Sequence, residues 1–95
     1  MKDIVTMDKY YNPLYEGDYV LTERGRICKI VWLHSNSHIG YDLKPVANLI
    51  YPPPSTYNAW NPMGLVKLFI KDEAELKDVD YIGNLMETEG FNWIL

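Results

Sequence analysis

Residues 51–62 read Tyr-Pro-Pro-Pro-Ser-Thr-Tyr-Asn-Ala-Trp-Asn-Pro, and four of these twelve are proline. Proline has no N–H to donate and its ring locks φ, so this stretch can form neither a helix nor a central strand. The regular elements must therefore lie on either side of it. A chain of 95 residues seldom divides into two cores, so a single domain spanning 1–95 is expected, with the proline stretch as a connection inside it.

On the N-terminal side the pattern is that of strands. Glu16-Gly17-Asp18 is a turn-forming triplet, and Tyr19 to Leu21 begins a strand after it. Thr22-Glu23-Arg24-Gly25-Arg26 follows as a hairpin turn, in which Gly25 supplies positive φ without a Cβ clash. Ile27 to His34 is the strongest strand. It places Ile27, Val31 and Leu33 on one face and Cys28, Ile30 and Trp32 on the other, as a central or partner-facing strand does. After a turn at Ser35-Asn36-Ser37, Ile39 to Leu43 alternates as a third strand, and Pro45 is expected to end it.

Beyond the proline stretch, Leu65 to Ile70 reads as a strand with Val66, Leu68 and Ile70 on one side. Asp72 is placed to cap a short helical turn that begins with the acidic Glu73-Ala74-Glu75. Val79 to Met86 reads as a last strand, and the apolar tail Phe91-Asn92-Trp93-Ile94-Leu95 is expected to pack. Together these predict a mostly β domain: a small, strongly bent sheet or a partly open SH3-like barrel with one short helix.

Composition narrows the function classes. The net charge is −4, and its placement is uneven: residues 1–48 carry six basic and six acidic side chains, residues 49–95 three and seven. Such a chain repels a phosphate backbone over long range, which counts against general nucleic-acid affinity. The acidic half could instead imitate nucleic-acid charge toward a basic protein. Cys28 is the only cysteine, so no intrachain disulfide forms. No apolar run approaches the ~20 residues of a membrane span, nor does the N-terminus resemble a signal peptide, so a cytoplasmic location is expected. The margin of stability in a domain this small is often widened by self-association, which makes a homo-oligomer an expectation.

Two segments share a resemblance. Asp8-Lys9-Tyr10-Tyr11-Asn12-Pro13-Leu14-Tyr15-Glu16-Gly17-Asp18-Tyr19-Val20 resembles the opening of YopX-like phage and prophage proteins, where Asp-Lys-Asn-Gly-Lys precedes Ile-Tyr-Glu-Gly-Asp-Ile-Val. Tyr81-Ile82-Gly83-Asn84-Leu85-Met86-Glu87 is similar to that family's closing Val-Ile-Gly-Asn-Ile-Tyr-Glu. Here Tyr10-Tyr11 stand in place of the family's Asn-Gly turn, and Glu89-Gly90-Phe91 in place of its Asn-Pro-Glu-Leu-Leu ending. The resemblance implies a bacterial host, a phage or prophage setting and a β-rich fold. It carries no activity over, and suggests an accessory protein that acts on a host protein.

Candidate chemistry is sparse. His34 and His38 flank a turn, with Cys28 or Asp42 as a conceivable third ligand, which is too few ligands for a zinc site. Cys28 has no adjacent base to activate it and suits a packing role in mid-strand. The carboxylates at 72–80 have the density of a solvated face, not of a catalytic pair held in unlike environments. With no phosphate loop or cofactor fingerprint, neither an enzyme nor a bound cofactor is expected. Tyr51, Tyr57 and Trp60 in the proline stretch combine stiff backbone with large rigid contact area, which suits protein recognition or oligomer contact; equally, they could fold back as a lid on the core. The alternative is a nucleic-acid surface of Arg24, Arg26, Lys29 and Trp32 around the first hairpin, gripping phosphate and stacking bases.

Overall fold

A computed structural model of the chain describes residues 3–23, 25–34, 39–48 and 64–91, with the side chains of Ile39 and Asn48 left aside. Its strands are β1 (Thr6–Met7), β2 (Pro13–Leu14), β3 (Tyr19–Leu21), β4 (Arg26–His34), β5 (Ile39–Asn48) and β6 (Val66–Leu68). A 3-10 helix at Glu73–Lys77 and an α-helix, α1 (Val79–Thr88), follow. β1 and β2 form a two-stranded antiparallel sheet, and the other four strands are ordered β5-β4-β3-β6, all neighbours antiparallel. The fold is mostly β, as expected, and both sheets are open, so the strands close no barrel.

The meander read from the sequence is present as β3-β4-β5, and its central strand is apolar on both faces. Tyr19, Leu21 and Ile27 turn toward Val66, Leu68, Ile82 and Met86 in one buried cluster. Val20, Cys28 and Ile30 turn the other way, toward Leu14, Leu43 and Leu65. The four-stranded sheet is thus a middle layer, with α1 on one face and the small β1–β2 sheet on the other. Gly17 and Gly25 sit in the two turns that bracket β3 with φ of 90° and 79°, which a side chain would resist.

Three expectations need correction, and one pair of strands is new. Residues 79–88 form a helix and not a last strand. Tyr81, Ile82, Leu85 and Met86 recur at helical spacing, and Ile82 and Met86 lie one turn apart as its buried residues. Asp78 caps the helix by accepting the Tyr81 N–H at 3.1 Å. Pro45 does not end β5, which runs on to Asn48. The pairing shifts there, with Ile27 opposite Ala47 but Cys28 opposite Pro45, so Pro45 sits at a bulge on an edge strand, where proline is tolerated. β6 is shorter than the predicted 65–70. The β1–β2 pair was not expected, because two-residue strands have no period to read. By contrast, the Asp72 cap forms as predicted: its carboxylate accepts the Ala74 N–H at 2.9 Å, and Glu75 returns the bond to the Asp72 N–H.

Parts of both outer edges of the large sheet are guarded. Ile30 exchanges bonds with Gly17 and Asp18 on the β3 side, so alternation turns the even residues of β4 toward β3 and the odd ones toward β5. On β5 this directs Tyr41, Leu43 and Pro45 outward. The Leu43 N–H is taken by the Asp42 carboxylate at 2.7 Å, and Pro45 has no N–H to offer. On β6 the Leu65 carbonyl accepts from the Lys9 N–H, the Lys67 N–H donates to Asp8, and the Phe69 N–H donates to the Tyr81 hydroxyl. Met86 is fully buried whereas Val79 is half exposed. Met86→Ala is therefore expected to cost about 2–5 kcal/mol in urea unfolding, and Val79→Ala well under 1 kcal/mol.

Candidate functional site

Asp8 organises the face where the N-terminal segment meets β6. The residue is buried, and its carboxylate accepts four hydrogen bonds: from the backbone of Tyr10, Asn12 and Lys67 and from the Asn12 side chain, at 2.8–3.1 Å. These bonds close the turn between β1 and β2, and Tyr11 within it holds a left-handed φ of 65°. Burial works against ionisation of Asp8 and is the largest single influence on it. The donors from Lys67, Asn12 and Tyr10 together outweigh that influence and hold the carboxyl below its ordinary 3.8. Beside it, Glu89 just past α1 pairs with the Lys9 ammonium and accepts the Tyr10 hydroxyl proton at 2.6 Å. The hydrogen bond to Glu89 is the main reason that the Lys9 and Tyr10 pKa values are raised.

This clasp forms one end of a cleft of about 310 Å³ between α1 and the outer side of β6. Val66 and Leu85 make its floor, and Tyr10, Phe69 and Tyr81 its aromatic walls; Phe69 is 68% exposed. The charged groups at its rim are already engaged. Lys67 donates to the Pro13 carbonyl at 2.7 Å and lies 3.6 Å from Asp18, and Glu89 holds Lys9. A neutral rim around aromatic walls suits apolar contact better than capture of an ion.

The second exposed region is the arm formed by the far halves of β4 and β5. β3 pairs with β4 only as far as Lys29, and the Gly17 and Asp18 contacts end the match at Ile30. β4 then continues to His34, and among the described residues only β5 pairs with it there. Trp32 is 51% exposed on one face of this ribbon and Leu33 40% exposed on the other. Trp32 makes an edge contact with the Tyr41 ring at 4.9 Å between centroids.

The residues singled out from the sequence fall as follows. Tyr51, Tyr57 and Trp60, with Arg24 and His38, lie outside the described residues. Of the basic patch, Arg26 and Trp32 share one face of β4, whereas Lys29 points to the opposite face and lies 5.6 Å from the centre of the Tyr19 ring. Lys29 therefore stands apart from the face that Arg26 and Trp32 share. Cys28 is buried, and burial pushes its thiol up to about 11, so it packs rather than reacts at neutral pH. Of the acidic run, Asp72, Glu75 and Asp78 are spent on helix caps. Among the described residues no cluster of three or more His, Cys, Asp and Glu is placed to hold a metal, and no helix is long and apolar enough to cross a membrane. The Asp8 knot was missed in the sequence, although Asp8 and Asn12 flanking a pair of tyrosines carried an Asx-turn signal.

Comparison with known proteins finds no matching family model, no matching curated protein and no matching solved structure.

Removing the Asp8 carboxylate leaves three backbone donors without their acceptor, so Asp8→Ala is expected to cost about 3 kcal/mol or more. A carboxyl with a depressed folded pKa contributes stability that is present above 3.8 and lost as pH falls through the lower folded value. Urea midpoints measured against pH should therefore show the gap between wild type and Asp8→Asn closing as the solution is acidified below 3.8. A gap that stays constant would mean that the charge contributes nothing. Cys28 is expected to react with a thiol reagent at pH 8 only after denaturant is added.

Proposed function

We propose that this chain is a non-enzymatic accessory protein of a phage or prophage that works by binding protein, either a second copy of itself or a protein of the bacterial host. The observation that carries this reading is the arm of β4 and β5, which offers Trp32 and Leu33 to solvent on opposite faces. A two-stranded ribbon is marginal in water on its own, and large apolar side chains on both of its faces suit a protein surface better than solvent. The aromatic cleft beside α1 adds a second apolar contact of the same kind.

The phage setting rests on the YopX-like resemblance, and one local detail supports it. Tyr11 takes the left-handed backbone at the position where that family carries glycine in its Asn-Gly turn. The nucleic-acid alternative has weaker support, because Lys29 faces away from Arg26 and Trp32.

Affinity capture from bacterial lysate, with and without nuclease, tests the reading. Wild type is expected to retain a specific protein, or tagged copies of itself, after nuclease treatment. Trp32→Ala should lower that capture at least tenfold while costing the fold only about 1 kcal/mol, roughly the worth of the Tyr41 ring contact. The double variant Tyr57→Ala with Trp60→Ala asks the same of the proline stretch. Capture abolished by nuclease would overturn the proposal in favour of nucleic-acid binding.

A further inference from the structure

The side chains of Asp42, Asp8 and Tyr81 accept the Leu43, Lys67 and Phe69 N–H on the two outer edges of the large sheet, whereas among the described residues no side chain does so along β4 beyond Ile30. Because the even residues of β4 face β3, the N–H and C=O of Trp32 and His34 point into the place that β3 vacates beyond Ile30. Among the described residues no segment lies along them. Only extended backbone can match a row of alternating donors and acceptors, and this row matches itself.

We propose that two copies of the chain join through this row, β4 against β4, about a two-fold axis at Leu33. The inference deepens the protein-binding reading and rests on it, naming a second copy of the chain as the partner. In this register Trp32 lies opposite the partner's His34, and His34 opposite the partner's Trp32. Each is a hydrogen-bonded pair, so four N–H···O=C bonds close across the axis. Leu33 meets the partner's Leu33 as a non-hydrogen-bonded pair, the closer kind, with Cα atoms about 4.5 Å apart. Trp32 and Leu33, the exposed side chains of the arm, each gain a cross-strand neighbour on their own face, and two marginal ribbons become one four-stranded sheet, β5-β4-β4-β5.

Sedimentation equilibrium over a range of concentrations should give a species of twice 11.1 kDa. Leu33→Lys places like charges opposite each other on the axis and is expected to lower the association constant at least tenfold, as is Leu33→Glu. An equimolar mixture of these two variants should dimerise again. Mild oxidation provides the geometric check. Leu33→Cys should cross-link readily, since the expected Cα separation falls within disulfide range, whereas Val31→Cys, four residues out of register with its copy, should not. Cys28 is buried and stays out of that chemistry.

A monomer at every concentration would overturn the pairing, as would a dimer indifferent to Leu33→Lys or equal cross-linking at both cysteine positions. A monomer whose Trp32 still captures a host protein would refute the pairing and leave the protein-binding reading standing. A monomer that captures nothing would end both.

Discussion

A buried carboxylate bound to four donors has two states, fully satisfied or badly exposed, and the Asp8 knot is of that kind. One of its donors, the Lys67 N–H, lies on the edge strand β6, more than fifty residues along the chain from Asp8. The other three lie in the turn that joins β1 to β2. A single charge thus ties the start of the chain to the far side of the sheet and gives β6 a substitute for the strand it lacks. Lys9, Tyr10 and Glu89 then fasten the same turn to the end of α1. The bond to Glu89 fixes Tyr10, which lines the aromatic cleft together with Phe69 and Tyr81.

The main sheet makes sense as a middle layer whose strands differ in length. Where β3 stands beside β4, both faces of the sheet are covered, and Ile27 and Ile30 are completely buried on opposite sides. Where β3 stops, so does the cover, and the same alternation that buries Ile30 leaves Trp32 half exposed. The arm is therefore the continuation of the core strand, with β5 beside it, beyond the end of β3. That continuity is why its exposed residues are apolar, and why the backbone groups of Trp32 and His34 on the β3 side have no strand beside them among the described residues.

Much of this fold could be read residue by residue. The turns at Gly17 and Gly25, the two-faced character of Ile27 to Trp32, the packing role of Cys28 and the cap at Asp72 all follow from local chemistry, and each appears where local chemistry places it. Val79 to Met86 was misread because Tyr81-Ile82 and Leu85-Met86 come in adjacent pairs, which fit a strand with two apolar faces as well as one stripe of a helix. Asp78 was the deciding signal: a capping side chain ahead of Asp80 favours the helix. Pro45 was misread for a different reason. A proline stops a strand only if its N–H is needed, and at an outward-facing bulge on an edge it is not.

The candidate surfaces were less legible. The sequence by itself determined the alternation of Ile27 to Trp32, the turns at Gly17 and Gly25 and the cap at Asp72, because each depends on neighbours within a few residues. Only the tertiary structure decided that Asp8 would meet Lys67, that Lys29 would face away from Trp32, and that β4 would outrun β3. Those outcomes depend on which strands lie side by side and in what register, and hydrogen-bond pairing between distant segments leaves no trace in the spacing of either segment alone.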